Sequence, residues 1–405
     1  MVTLRDDFFR FVCQTSPEPF GIEVARAHGC TVVDKSGRHY LDLLSGIGVA
    51  SLGHAHPAIV QAIKDQAERY LHAMVYGEYI QEPQVQLARR LAEVVPAPLL
   101  VTYFTNSGTE AVEGALKTAR KYTGRSRFVS FSGGFHGDTF GSLSVGGNPL
   151  YRAPFEPLLP TVTFLPFNEH DALVAIDESV AAVIVEPIQG EGGVRIPDSE
   201  FLPRLQQRCR EVGALLICDE VITGFGRTGR LFACEHWGVT PDILVLAKAL
   251  GGGMPLGAFI STREIMATLS ADPPLAHVTT FGGHPVCCAA GLASLEVILR
   301  EDLSRQAEAR GEEFLHKLRA LVGIGGFTAV RGRGLLLGLD FLTPEATKNF
   351  AQACFAAGLI LGWTLHQDTV IRLAPPLIIA SAEIERAVAI MGDVLQEQKD
   401  LAKEG

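Results

Sequence analysis

A mostly parallel β-sheet covered by helices on both faces, joined to a smaller α+β unit, is the architecture this 405-residue sequence predicts. Three observations predict it. Short β-rich runs alternate with amphipathic stretches through the middle of the chain. The runs are almost continuously apolar, as strands buried on both faces are. After about residue 299 the alternation stops and the texture changes.

The runs, in order, are 101–105, 128–131, 161–165, 180–185, 214–218, 243–247 and 258–261. They are rich in β-branched and aromatic residues and are bounded by turn formers. Between them, 110–121 and 201–212 carry apolar residues at helical spacing. Residues 51–300 are therefore expected to form the large domain. Further on come Gly332-Arg333-Gly334, the apolar run 335–339 and strand-like segments at 359–362 and 370–373. Ile384, Ala387, Val388, Met391 and Leu395 then recur at helical spacing, so the chain closes on an amphipathic helix. A small α+β domain is expected over 301–405, with 1–50 as an N-terminal segment packing against it. Two domains suit this length, because single cores stop growing near 250–300 residues.

A hydrophobic fraction of 47% and a charged fraction of 20% describe an ordinary globular chain. The net charge of -10 argues against nucleic acid and anionic membranes as partners, since both select clustered Lys and Arg. Eight cysteines lie scattered without a CxxC pair, which suits free thiols in a reducing cytoplasm. No apolar run is long enough for a signal peptide or a membrane span, so a cytoplasmic protein is expected. No metal site is expected: His54 and His56 lack Cys or carboxylate ligands nearby, and a capping or turn role suits them better.

Several strand ends carry chemistry. The run 101–105 leads into Asn106-Ser107-Gly108-Thr109-Glu110-Ala111 and a helical pattern. Ser before a helix caps it, and the helix N-terminus suits a phosphate, although a plain capped helix reads the same way. The loop after 128–131 presents Phe135, His136 and Gly137, where a flat ring could stack on a ligand or simply pack. The run 214–218 ends in Asp219, and an acid there needs a partner; a protonated ring nitrogen, a helix cap or a metal would each serve. Lys248 follows 243–247 and precedes Gly251-Gly252-Gly253. A buried lysine loses its charge readily and attacks carbonyls, whereas an exposed one is a surface charge. Those glycines are no dinucleotide loop, because no acid follows a second strand about 20 residues on. Glu191, in Gln189-Gly190-Glu191-Gly192-Gly193, and Arg372, at the end of 370–373, are a carboxylate and a guanidinium fork or else solvated charges. Taken together, a phosphate seat, a stacking ring, an acid for a ring nitrogen and a lysine for a Schiff base make a complete kit for one cofactor.

The segments Asn106 to Ala111, Phe135 to Thr139, Glu186 to Gly193, Asp219 to Gly229, Ala247 to Gly253 and Thr280 to Pro285 resemble the class III aminotransferases of the ornithine, acetylornithine and 4-aminobutyrate branch. The resemblance runs in order from about Pro19 to Ile379. It implies the fold type I architecture, pyridoxal 5'-phosphate and a homodimer with shared active sites. It also implies roles. Ser107 and Gly108 hold the phosphate, and Thr280 reaches the phosphate of the partner subunit. Phe135 and Val221 pack on the two ring faces, with His136 beside them. Asp219 pairs with the ring nitrogen, and Lys248 carries the cofactor and moves the proton. Glu191 and Arg372 are a switchable pair: closed for an ω-amine donor, open so that Arg372 grips a 2-oxo acid. Ile47 matches an apolar pocket position of the 4-aminobutyrate members.

Two positions depart from that branch. Asp138 stands where members using 2-oxoglutarate often carry Arg, which favours pyruvate as acceptor, and Phe-His-Gly-Asp-Thr-Phe-Gly also resembles the diaminopelargonate branch. Ile222 stands where the branch often has Gln. The expected activity is ping-pong transfer from an ω-amino acid or amine to a 2-oxo acid. A decarboxylase or aminomutase of the same fold, and an idle cofactor-binding regulator, share much of the kit. No role is assigned to Trp363 or His366.

Overall fold

The computed structural model describes residues 3–404, with side chains through residue 400. The chain begins its sheet structure with an antiparallel meander of β1 (Val24–His28), β2 (Thr31–Asp34) and β3 (His39–Asp42). Seven strands then form the central sheet: β4 (Val101–Thr105), β5 (Arg127–Phe131), β6 (Val162–Leu165), β7 (Val180–Val185), β8 (Leu215–Asp219), β9 (Ile243–Leu246) and β10 (Gly257–Ser261). Their order is β4-β10-β9-β8-β7-β5-β6. Only β10 runs against the others, pairing antiparallel with both β4 and β9.

Alternation along each strand supplies both faces of this sheet. Ala182 and Ile184 of β7 join one apolar cluster, while Val183 and Val185 join the other. The helix Gly108–Thr123 seals the first face with Ala111, Val112, Ala115 and Ala119. It lies so close to the sheet that a Cβ on Gly114 would fall 2.2 Å from the Phe259 ring of β10, so only glycine fits there.

The late strands β11 (Phe327–Arg333), β12 (Leu336–Phe341), β14 (Gly362–Trp363) and β15 (Val370–Leu373) form a third sheet in the order β11-β12-β15-β14. Strand β13 (Leu359–Ile360) instead pairs parallel with β3 in the first sheet. The segment 359–362, expected as one strand, is thus divided between two sheets at Leu361. Two-residue strands carry too little alternation to reveal such a division. The helix Ser381–Glu404 closes the chain. Among the described residues no helix is long and apolar enough to cross a membrane.

Candidate active site

The carboxyl ends of β4, β5, β7, β8 and β9 open onto one cavity of about 560 Å³. Ligands of α/β sheets bind at this edge. Ser107 and Gly108 reach the cavity from β4, and Phe135, His136 and Asp138 from β5. Glu186 and Glu191 come from β7; Asp219, Val221 and Ile222 from β8; Lys248 from β9.

One end of the cavity is built for an anion. Ser107 has extended backbone and caps the helix Gly108–Thr123, its Oγ accepting the Glu110 N–H at 3.3 Å. The first-turn amides of a helix have no partner within it, and the dipole places positive charge there. A Cβ on Gly108 would sit 3.0 Å from both Val221 methyls, so glycine keeps this wall open. Asn106 donates through Nδ2 to Thr279 Oγ at 2.9 Å, tying in the segment that carries Thr280.

Behind the cavity lies a buried acid network. Asp219 Oδ2 meets His136 Nδ1 at 2.8 Å, and Asp219 Oδ1 accepts the Val221 N–H at 3.1 Å. The sequence motif gives Glu186 no role, yet it is buried at the cavity wall and accepts the N–H groups of Phe135 and Gly190, each at 3.0 Å. It therefore fixes both the loop of Phe135 and the loop of Glu191. Burial, against the pull of His136, pushes its carboxyl up to about 7. Only its apolar approach (Val180–Val185) hinted at a buried acid.

Lys248 follows β9 in left-handed backbone with φ of 47°. Backbone strain of this kind collects at functional sites. The residue keeps some exposure to the cavity, but its amine is enclosed. Burial first, then the Arg372 charge, lower its pKa to about 8. Glu191 and Arg372 are both buried and form an ion pair through Oε1 and Nη1. Burial opposes the Glu191 charge, but Arg372 and Lys248 outweigh it and hold the carboxyl below its usual range. The buried Arg372 Nε has no hydrogen-bond partner among the described residues.

The family described as Aminotransferase class-III matches residues 12–395. The chain belongs to the class III aminotransferases. The acetylornithine aminotransferase of Methanopyrus kandleri is 45% identical to it over 378 residues, 93% of this chain and 95% of that protein. The solved ornithine aminotransferase of Toxoplasma gondii superposes with a TM-score of 0.92 at 31% identity, covering 99% of this chain and 96% of that one. An amine transaminase from an uncultivated Pseudomonas species, solved in its PLP-bound form, gives 0.88 at 30% identity, covering 96% and 98%.

The cofactor of this aminotransferase is pyridoxal 5'-phosphate, and the cavity fits it. A glycine-lined helix N-terminus suits the phosphate, an acid closes β8, and an enclosed amine of lowered pKa faces the same space.

Three expected site residues of the aminotransferase stand apart from the cavity wall. Arg372 enters the site through Glu191. Thr280 is exposed and does not line the cavity of its own chain. Ile47 is 46% exposed, and Val49 rather than Ile47 lines the cavity. Ile47 sits in a left-handed run from Ser45 to Gly48, with φ between 49° and 75°. Asp42 Oδ1 holds that run by accepting the N–H groups of Leu44 and Ser45, each at 2.8 Å. His54 braces Asp42 from the other side at 2.7 Å, which gives this histidine a structural partner.

Proposed function

We propose that this aminotransferase takes the terminal amino group of an ω-amino acid of the ornithine or acetylornithine type and passes it to a 2-oxo acid by a ping-pong mechanism. One observation carries the reading: the buried Glu191–Arg372 pair adjoins the cavity that holds Lys248. A charge that is neutralised in one half-reaction and freed in the other lets one site take a distal amine and then an α-carboxylate. The acetylornithine and ornithine aminotransferases to which the chain is similar support the donor class.

When bound, pyridoxal phosphate withdraws electrons from the donor carbon so that its proton can leave. Ser107 and Gly108 hold the phosphate on the helix N-terminus. Phe135 and Val221 enclose the ring, with His136 beside it. Asp219, held by His136 and the Val221 amide, keeps a proton on the ring nitrogen. Lys248 would hold the cofactor through Nζ, and its freed amine would accept the proton that leaves the donor carbon and later give it back. With Glu191 closed over it, Arg372 offers no charge to the donor's α-carboxylate. With Glu191 swung away, Arg372 forks the carboxylate of the acceptor. Asp138 at the cavity rim disfavours a second acceptor carboxylate, which supports pyruvate over 2-oxoglutarate.

The active unit in this reading is a homodimer in the cytoplasm. Phe281 beside Thr280 is exposed and rests against His72 at 5.0 Å, and Leu71, Tyr79 and Ile80 are exposed nearby in sequence. Exposed apolar groups of this kind mark interfaces, and a partner covering them would receive Thr280. The eight cysteines are all unbridged, as a reducing compartment keeps them.

The test is the visible spectrum of the cofactor-loaded enzyme as ornithine or acetylornithine is added, followed by pyruvate. Loss of the resting band with the donor and its return with pyruvate is expected. Release of carbon dioxide from the donor, or a band that neither compound moves, would overturn the reading.

A further inference from the structure

Residues 364–367 form the tip between β14 and β15, three residues before Arg372's own strand begins. This tip grips Glu191 from two directions. The Leu365 N–H donates to Glu191 Oε2 at 2.9 Å, and the His366 N–H donates to the Glu191 carbonyl at 3.1 Å. Arg372 takes the other carboxylate oxygen, so both oxygens are occupied in the closed arrangement.

The tip is pinned in turn. Thr364 Oγ donates to the Gln367 carbonyl at 2.6 Å, and the Tyr151 hydroxyl donates to the Leu365 carbonyl at 2.7 Å. His366 Nδ1 meets the Gly133 carbonyl at 3.0 Å. A carbonyl only accepts, so Nδ1 carries the proton. Burial keeps the ring below the usual imidazole pKa, so His366 is neutral near pH 7 and Nδ1–H is its one donor. Its ring lies edge-on to Phe135 at 5.8 Å and beside Tyr151 at 5.4 Å. One residue thus joins the two loops, its ring meeting the Gly133 carbonyl in the loop of Phe135 and its backbone N–H the carbonyl of Glu191.

We propose that the 364–367 tip is the latch of the Glu191–Arg372 gate and that His366 is its positioning residue, setting how readily Arg372 is released to an α-carboxylate. The proposal rests on the gate reading given above. Hydrogen bonds to a charged group are stronger than neutral ones. Holding the Leu365 N–H in place therefore favours the closed state. The apparent affinity of a ligand falls in proportion to the fraction of protein in its competent state. Loosening the tip raises the open fraction and so tightens carboxylate binding.

The experiment is calorimetric titration of the holoenzyme with propionate, a carboxylate with no amine or keto group to react. His366→Ala is expected to bind propionate about tenfold tighter than the parent, the worth of one charge-assisted contact. His366→Asn, which keeps a donor for Gly133, is expected to stay near the parent. In steady state, KM for pyruvate should fall in His366→Ala while kcat/KM for the ω-amine donor also falls. A merely structural defect would weaken both carboxylate binding and donor use. Tyr151→Phe, which frees the Leu365 carbonyl without removing the ring, should move propionate binding the same way by about threefold and serves if His366→Ala fails to fold. Propionate binding no tighter than the parent's in these variants would overturn the latch. Undiminished propionate binding in Arg372→Gln would instead overturn the gate reading itself.

Discussion

His136 and Asp219 are joined inside the protein, Nδ1 to Oδ2 at 2.8 Å, so the acid that closes β8 is oriented by a residue from the loop after β5. The Val221 amide takes the other oxygen at 3.1 Å. Asp219→Asn preserves the shape but removes the charge. Turnover should fall by about a hundredfold or more while cofactor is still retained. Single-turnover rates with a donor deuterated at the reacting carbon would show proton removal becoming slower. An unchanged rate would place the ring-nitrogen partner elsewhere.

The lowered pKa of Lys248, about 8, has a defined sign: the neutral amine grows as pH rises through that value. Stopped-flow capture of the cofactor aldehyde by the apoprotein should accelerate up to about pH 8 and then level off. A continued rise toward the ordinary lysine value of 10.5 would mean that the amine is not enclosed. Lys248→Ala should show no such capture and no turnover.

Glu186 makes the opposite demand. Its folded pKa of about 7 lies above the usual 4.5, so its contribution to stability is full at low pH and is lost as pH rises through about 7. Glu186→Gln cannot ionise. The thermal midpoint of the variant should therefore drop less than the parent's between about pH 5 and about pH 8. The new amide faces a backbone N–H of Phe135 or Gly190, so the variant should also lose about 1–3 kcal/mol at low pH. Parallel melting curves would count against the buried acid.

Gly114→Ala should destabilise the protein by about 1–3 kcal/mol, because the added methyl meets Phe259 with no room to retreat. Urea unfolding of the holoenzyme measures the loss. Phe259→Leu in the same chain should recover part of it.

Asp138→Arg should raise kcat/KM for 2-oxoglutarate relative to pyruvate by about tenfold, since a rim guanidinium could pair with the distal carboxylate. A fixed ratio would mean that Asp138 does not face the acceptor.

Much of this protein was legible because buried parallel strands write themselves as apolar runs and their ends as short motifs. The runs at 101–105 and 180–185 coincide with β4 and β7, and Ser107, Asp219 and Lys248 follow their strands directly into the cavity. Local pattern could not show that β10 inserts antiparallel between β4 and β9, because an apolar strand looks the same in either direction. Nor could it give Glu186 its two amide partners.

By itself, then, the sequence determined the strand ends and the chemistry placed on them, since periodicity and capping act over a few residues. The tertiary structure decided which distant residues meet. Glu191 and Arg372 are 181 residues apart, and His366 and Gly133 are 233 apart. Such contacts depend on how sheets and loops pack, and burial then sets their charge by removing water. Ile47, which the resemblance implies as a pocket residue, lies on a left-handed run and is 46% exposed in the single chain, while Val49 lines the cavity.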